Sequence, residues 1–217
     1  MKKIVIPILI FLLTLNSCEK DEETPILAGD VNLEMFHFEF NPALQIQFQT
    51  DSLLGINYGM DSIDIDLDGN YDIQISQRIC LGCDYSDIDD DNFPYIGLVL
   101  KNDFDIAYKE VAVYTGLGTT SSIDLADALP YETRIDKIDN WKDSNMTYYF
   151  GNENGQIWLW GDPPFPFWSY GPWYRLENSE MFLGIRKRTS TDYKLGWIKL
   201  IVHSKDDFEI ISYAIEK

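Results

Sequence analysis

Histidine and cysteine are scarce in this chain, which has two of the former and three of the latter. It also lacks the H-E-x-x-H, G-x-S-x-G and glycine-rich phosphate-loop motifs of zinc hydrolases, serine hydrolases and nucleotide-binding proteins. Without a clear pair of nucleophile and base, we predict that the protein is not an enzyme. Acidic residues are so abundant that two carboxylates suited to a glycoside hydrolase can be chosen almost anywhere, so this alternative ranks last.

Basic residues are also few. The chain has 17 Lys and Arg against 36 Asp and Glu, a net charge of −19. A chain this acidic repels phosphate backbones, which argues against nucleic-acid binding. No internal repeat and no Pro/Gly/Ser-rich linker divides the sequence, so we predict one domain over residues 28–217.

Long apolar runs are absent too, since the apolar run at the N-terminus is short. Lys2 and Lys3 precede the apolar run Ile4–Leu15, which is well below the roughly 20 residues of a membrane-spanning helix. Small residues and Cys18 follow, which predicts a lipoprotein signal peptide over residues 1–17 and acylation of Cys18, for example with palmitate. An ordinary secretory signal with a chance cysteine is the alternative.

An acidic tether, residues 18–27, follows the signal peptide. Its run Glu19–Glu23 resembles the acidic export signals of surface lipoproteins in the Bacteroidota. This resemblance implies an outer-membrane lipoprotein exposed at the cell surface, with the periplasmic face as the alternative. Cleavage would remove two of the 17 basic residues, leaving 15 against 36 acidic ones and a net charge of −21. The outer-membrane lipid is then a partner through the acyl chains of Cys18.

The remaining two cysteines lie close together, as Cys80-Leu81-Gly82-Cys83. In an oxidising cell envelope this spacing predicts a small structural disulfide. A zinc site or a redox pair is the alternative.

Apolar residues alternate with a period of two along most of the chain, which predicts strands rather than helices. Many short strands at intervals of about 8–12 residues favour an all-β fold, a single antiparallel β-sandwich or a barrel. Asn41-Pro42 predicts a turn between two strands. One short helix is expected over residues 123–129, ended by Pro130.

The most chemically informative motif is Asp-rich. Counted from Asp64, the first, third, fifth and ninth positions of a calcium loop are aspartates, and the sixth is glycine, so the predicted Ca²⁺ ligands are Asp64, Asp66, Asp68, Asn70 and Asp72. The twelfth position is Ile75 rather than the glutamate of an EF-hand, and the flanking segments alternate like strands. We therefore predict a structural calcium site between two strands, around Asp68-Gly69-Asn70. A metal-free hairpin with a solvated acidic face is the alternative.

An aromatic stretch, residues 157–174, is interrupted by prolines and glycines. Its rings could present a platform to a sugar, or they could pack over a sheet edge. The predicted glycan-binding residues are Trp158, Trp160, Trp168, Tyr170 and Trp173. Asp51-Ser52-Leu53 and Asp61-Ser62-Ile63 resemble short O-glycosylation acceptors of the Bacteroidota, which makes Ser52 and Ser62 candidate acceptors.

Two further stretches carry a family resemblance. Phe182-Leu183-Gly184-Ile185-Arg186 and Leu195-Gly196-Trp197-Ile198-Lys199-Leu200, together with the Asp-rich motif, resemble uncharacterised exported all-β domains of the Bacteroidota. The resemblance implies fold and surface placement, and no activity. We therefore expect a non-enzymatic structural or adhesive module stabilised by calcium, with a glycan-binding lipoprotein as the alternative.

Overall fold

The computed structural model describes residues 24–51, 56–80, 95–100, 103–114, 120–143, 156–161, 172–173, 176, 178–204 and 207–217. These residues form an all-β fold, as the period-two pattern predicts. The strands are β1 Met35–Gln45, β2 Phe48–Asp51, β3 Ile56–Ile63, β4 Ile73–Cys80, β5 Tyr95–Leu100, β6 Phe104–Tyr114, β7 Thr120–Ala126, β8 Trp141–Asp143, β9 Gln156–Gly161, β10 Ser179–Arg188, β11 Tyr193–Ser204 and β12 Asp207–Glu216. A short 3₁₀ helix spans Ile135–Lys137.

The strands join in the order β1-β12-β11-β10-β6-β7-β9-β5-β4-β3-β2, with β8 beside β6. Neighbours are antiparallel except β7 and β9, which pair in parallel. The long strand β6 links two halves of the sheet, because its start pairs with β10 and its continuation pairs with β7.

The two halves enclose a shared core, which makes the fold sandwich-like. Buried side chains of β3, β4 and β5 belong to the same apolar cluster as those of β10, β11 and β12. The main contributors from the two halves are Ile63, Ile73, Ile75, Leu98, Leu100, Leu183, Ile185, Ile198, Leu200, Ile210 and Tyr213.

A second, smaller core lies on the other face of β10–β12. Successive strand residues point to opposite faces, so Phe182, Trp197 and Ala214 leave the first core and pack here. Trp197 is 2% exposed and its indole N–H donates to the carbonyl of Asp30, so it is a core residue. Ile26 is also buried here, so packed residues begin two positions before the predicted boundary at residue 28.

One glycine in this region permits a close approach between strands. A Cβ on Gly196 would lie 2.3 Å from the carbonyl oxygen of Ala214 and 2.9 Å from Cα of Ile215. These contacts are too short for any side chain, so glycine at this position lets β11 pair with β12 while Trp197 turns into the second core.

Two local predictions are wrong. Residues 123–126 belong to strand β7 rather than to a helix, because backbone pairing with β6 overrides the local propensity. Asn41-Pro42 lies inside β1 and does not end it; the pairing with β12 shifts register between Glu39 and Leu44, as at a bulge.

Candidate metal site in the acidic loop

The Asp-rich motif forms a loop between β3 and β4. The strands end at Ile63 and resume at Ile73, so all the aspartates from Asp64 to Asp72 lie in the loop and not in a strand. The backbone turns because Leu67 and Gly69 adopt left-handed conformations, with φ of 59° and 89°. A Cβ on Gly69 would meet no atom within 4 Å, so the backbone angle, and not space, favours glycine there.

The loop is shaped by its own carboxylates. Asp64 accepts hydrogen bonds from the backbone N–H groups of Asp68, at 3.2 Å, and Gly69, at 2.8 Å. Asp68 in turn accepts one from the N–H of Asn70 at 2.8 Å. These are the short-range side-chain to backbone bonds by which aspartate stabilises turns.

Asp72 closes the loop from its far end. It is fully buried, and its Oδ2 accepts the backbone N–H groups of Ile65 at 2.7 Å and Asp66 at 3.3 Å. Its own N–H donates to the carbonyl of Ile63 at 2.9 Å, next to the paired ends of the two strands. The buried carboxylate is therefore fixed relative to the sheet.

This arrangement brings together three of the five predicted ligands. One carboxylate oxygen each from Asp64, Asp66 and Asp72 lies within 4.8 Å of the others, a group that could hold a metal ion. At that separation two unit charges repel by about 3.5 kcal/mol for an effective dielectric constant near 20. Asp68 and Asn70 lie outside this group, and both are exposed.

A basic residue from a distant strand also reaches the site. The ammonium of Lys187, in β10, forms an ion pair with Oδ2 of Asp66, and both side chains are largely buried. Burial and the neighbouring ammonium of Lys194 lower the pKa of Lys187, while the carboxylate of Asp64 partly offsets this. Sequence reasoning missed Lys187, since no local signal relates it to a loop more than a hundred residues away.

Tyr213 of β12 contacts the loop from the core. Its hydroxyl donates to the backbone carbonyl of Asp64 at 3.1 Å. Burial, assisted by the carboxylates of Asp64 and Asp72, raises the pKa of Tyr213 to about 12. Both causes disfavour a phenolate beside an already acidic group.

The aromatic candidates do not form one described surface. Trp173 is 2% exposed and its indole N–H donates to the carbonyl of Ala126 at 3.0 Å, so it belongs to the core and its predicted role in ligand binding is corrected. Trp158 and Trp160 lie in β9, and only their backbone is described. Trp168 and Tyr170 lie outside the described residues.

The other predicted positions fall mostly outside the described residues. Cys18, Ser52 and Cys83 are not described, and for Cys80 only the backbone in β4 is. Ser62 lies in β3, where its hydroxyl accepts a weak hydrogen bond from the Gln74 amide at 3.5 Å. The disulfide, the lipidation and the glycosylation therefore stay predictions.

Comparison with known proteins adds no functional information, because no protein family, curated protein or solved structure matches the chain. Among the described residues, no helix has the length and apolar character needed to cross a membrane.

Proposed function

We propose that this protein is a non-enzymatic structural or adhesive module that binds calcium in its acidic loop and is anchored through Cys18 to the outer membrane, facing the cell exterior. The observation that carries the calcium assignment is the convergence of Asp64, Asp66 and Asp72 within 4.8 Å. The anchor rests on the N-terminal sequence, and the surface placement on the acidic residues that follow Cys18.

Charge balance supports a divalent cation. Three carboxylates meet at the site, and the Lys187 ammonium neutralises one of them through its pair with Asp66. A divalent cation that displaces this ammonium would balance more of the negative charge, because it brings two positive charges in place of one. Hard carboxylate oxygens are the ligands that calcium prefers, and the group contains no nitrogen or sulfur ligand that would favour zinc.

The hydrogen bonds that shape the loop do not prevent its carboxylates from binding a cation. Each carboxylate oxygen has two lone pairs, so Asp64 and Asp72 can accept backbone N–H groups and still bind a cation. A bound calcium would remove the repulsion between the carboxylates and would join both strand ends to one centre. This is a stabilising role and needs no base or nucleophile.

A thermal-unfolding comparison in calcium and in chelator tests the metal site. The unacylated Cys18→Ser protein should gain about 2.7 kcal/mol when calcium is at a hundred times its dissociation constant, a shift of several degrees. Asp66→Ala should abolish the shift, because it removes one of the three ligands. Asp61→Ala is the matched control: it removes the same charge from β3, outside the group, and should keep the shift. An unchanged midpoint in the parent protein, with no bound calcium by elemental analysis, would refute the assignment.

Two cell-based measurements test the anchor separately. Labelled palmitate should enter the native chain and should be absent from Cys18→Ser. Protease added to intact cells should digest the native protein if it faces the exterior. If the protein is digested only after the outer membrane is opened, it faces the periplasm instead.

A further inference from the structure

A basic cleft stands out on this acidic chain. Next to the metal loop lies a cleft of about 460 Å³ whose lining includes four basic side chains and two acidic ones. Its lining therefore carries a side-chain charge of +2 in a chain of net charge −19. The basic residues are Lys187, Arg188, Lys194 and Lys217.

The acidic groups in the cleft are already engaged. Asp66 pairs with Lys187, and Oε2 of Glu216 accepts the backbone N–H of Leu195 at 2.7 Å. Lys217 donates to the backbone carbonyl of Leu33 at 2.7 Å, an uncharged partner that leaves its positive charge unbalanced. Glu216 therefore keeps its negative charge, as Lys217 keeps its positive one. With Lys187 paired to Asp66 and Arg188 paired to Asp105 at 3.5 Å, Lys194 is left as the excess positive charge of the cleft.

Two lysines face each other across neighbouring strands. Lys187 of β10 and Lys194 of β11 are directly opposite in the antiparallel register. Like charges at such positions are destabilising. Within the described part of the chain no acidic side chain forms an ion pair with Lys194. An anion placed between the two ammonium groups would convert this repulsion into attraction.

The cleft also has an apolar side. Phe36, Ile65 and Ile215 line it together with the charged residues. Ile65 and Ile215 are buried, while Phe36 is partly exposed. A volume of this size suits a small organic molecule, with apolar contacts along its body and polar groups that fix its orientation.

We propose that this cleft binds a small organic molecule bearing an oxyanion, with the anionic group held by Lys187, Lys194 and Lys217. Carboxylate, phosphate and sulfate groups share the required chemistry, and lysine binds each of them as a point charge. The proposed anion site lies beside the candidate calcium site formed by Asp64, Asp66 and Asp72, and the two sites share only Asp66.

Isothermal titration of the unacylated Cys18→Ser protein tests the proposal in metal-free buffer, so the outcome does not depend on calcium. The probes are glucuronate, glucose 6-phosphate and glucose 6-sulfate, which carry the three anions on one ring, with glucose as the neutral control. At least one acidic sugar should bind at least tenfold more tightly than glucose. Its affinity should fall as sodium chloride is raised, because the contact is ionic. The preferred probe identifies the anion.

Matched variants locate the site. Lys194→Met should weaken binding of the preferred probe by about fivefold to tenfold, as expected for the loss of one charge contact. Lys199→Met removes the same charge from the same strand, where Lys199 pairs with Glu180 and does not line the cleft, and should change affinity less than twofold. Lys217→Met repeats the test at a chain end if Lys194→Met does not fold. Equal binding of all four probes, or equal effects of the cleft variant and the Lys199 variant, would overturn the proposal.

Discussion

Replacing Lys187 with methionine should tighten calcium binding at the acidic loop. In the structure the Lys187 ammonium forms an ion pair with the Asp66 carboxylate. A metal ion must displace the ammonium to bind that carboxylate. Methionine keeps most of the length of the side chain but carries no charge, so the packing against Phe104 is largely preserved. The variant therefore removes a competing cation and leaves all three carboxylates in place.

The expected gain in calcium affinity follows from two effects. Opening an ion pair near a protein surface costs up to about 1 kcal/mol, and the upper end applies here because Lys187 and Asp66 are only 24% and 20% exposed. An ammonium about 6 Å from a divalent ion adds a repulsion of about 1.4 kcal/mol at the dielectric constant of water. Together they predict calcium binding about fivefold to sixtyfold tighter, the lower value applying if the native lysine swings into solvent.

Calorimetric titration of calcium into the native protein and the variant measures this change, and thermal unfolding gives an independent check. Without metal, Lys187→Met should unfold at a lower temperature than the native protein, because it loses the ion pair with Asp66 and one positive charge beside the carboxylates. With excess calcium the order should reverse. Lys194→Met is the control, since it removes a charge nearby but no ion pair with the loop, and it should change calcium affinity less than Lys187→Met does. Weaker calcium binding in Lys187→Met would refute the competition.

Three further predictions concern the core. The pKa of Tyr213 is raised to about 12 from about 10, so its contribution to stability is full below pH 10 and is lost between pH 10 and 12. The loss should be on the order of 2 kcal/mol in the free energy of unfolding measured with denaturant. The stability of the Tyr213→Phe variant should change less over the same pH range. Gly196→Ala should lower stability by about 2–3 kcal/mol because its Cβ meets the Ala214 carbonyl, and unchanged denaturant midpoints would contradict the close approach. Arg186→Met should cost about 3 kcal/mol by the same measurement, since it removes the 2.7 Å partner of the buried Asp105; a loss below 1 kcal/mol would show that the remaining contacts of Asp105 suffice.

Strand positions follow well from the sequence where alternation is clean. The sequence pattern predicts a strand over residues 95–100, which matches β5. It also predicts strands over residues 181–187, 195–203 and 208–215, which lie within β10, β11 and β12. Buried and partly exposed residues alternate over residues 199–202 and 208–211, as the period-two pattern predicts. Residues 182–185 and 212–215 are buried consecutively, because one core covers each face of these strands. The predicted helix over residues 123–129 fails for the opposite reason. Its local pattern is ambiguous, and pairing with β6 decides the outcome.

The acidic loop was predictable in composition but not in geometry. Spacing predicted five ligands, including Asp64, Asp66 and Asp72, in a turn between two strands around Asp68-Gly69-Asn70. The structure gathers these three through the left-handed conformation of Leu67 and the burial of Asp72. A positive φ at leucine has no sequence signal, because leucine seldom adopts it. Lys187 lies in β10, which pairs with β6 and β11 and not with β3 or β4, so its ion pair with Asp66 is a long-range contact that periodicity cannot reveal.

The two proposed sites meet at Asp66, and this shared residue constrains how they act together. Calcium at the loop would draw Asp66 away from Lys187 and would leave that ammonium available to the cleft. An anion in the cleft, conversely, draws Lys187 away from Asp66 and exposes that carboxylate to the metal. Because equilibrium coupling between two ligands is reciprocal, each must raise the affinity of the other by the same factor. An ion pair worth up to about 1 kcal/mol limits that factor to about fivefold, and Lys187→Met should abolish it while leaving calcium binding intact. A coupling that persists without Lys187 would mean that the two sites communicate by another route.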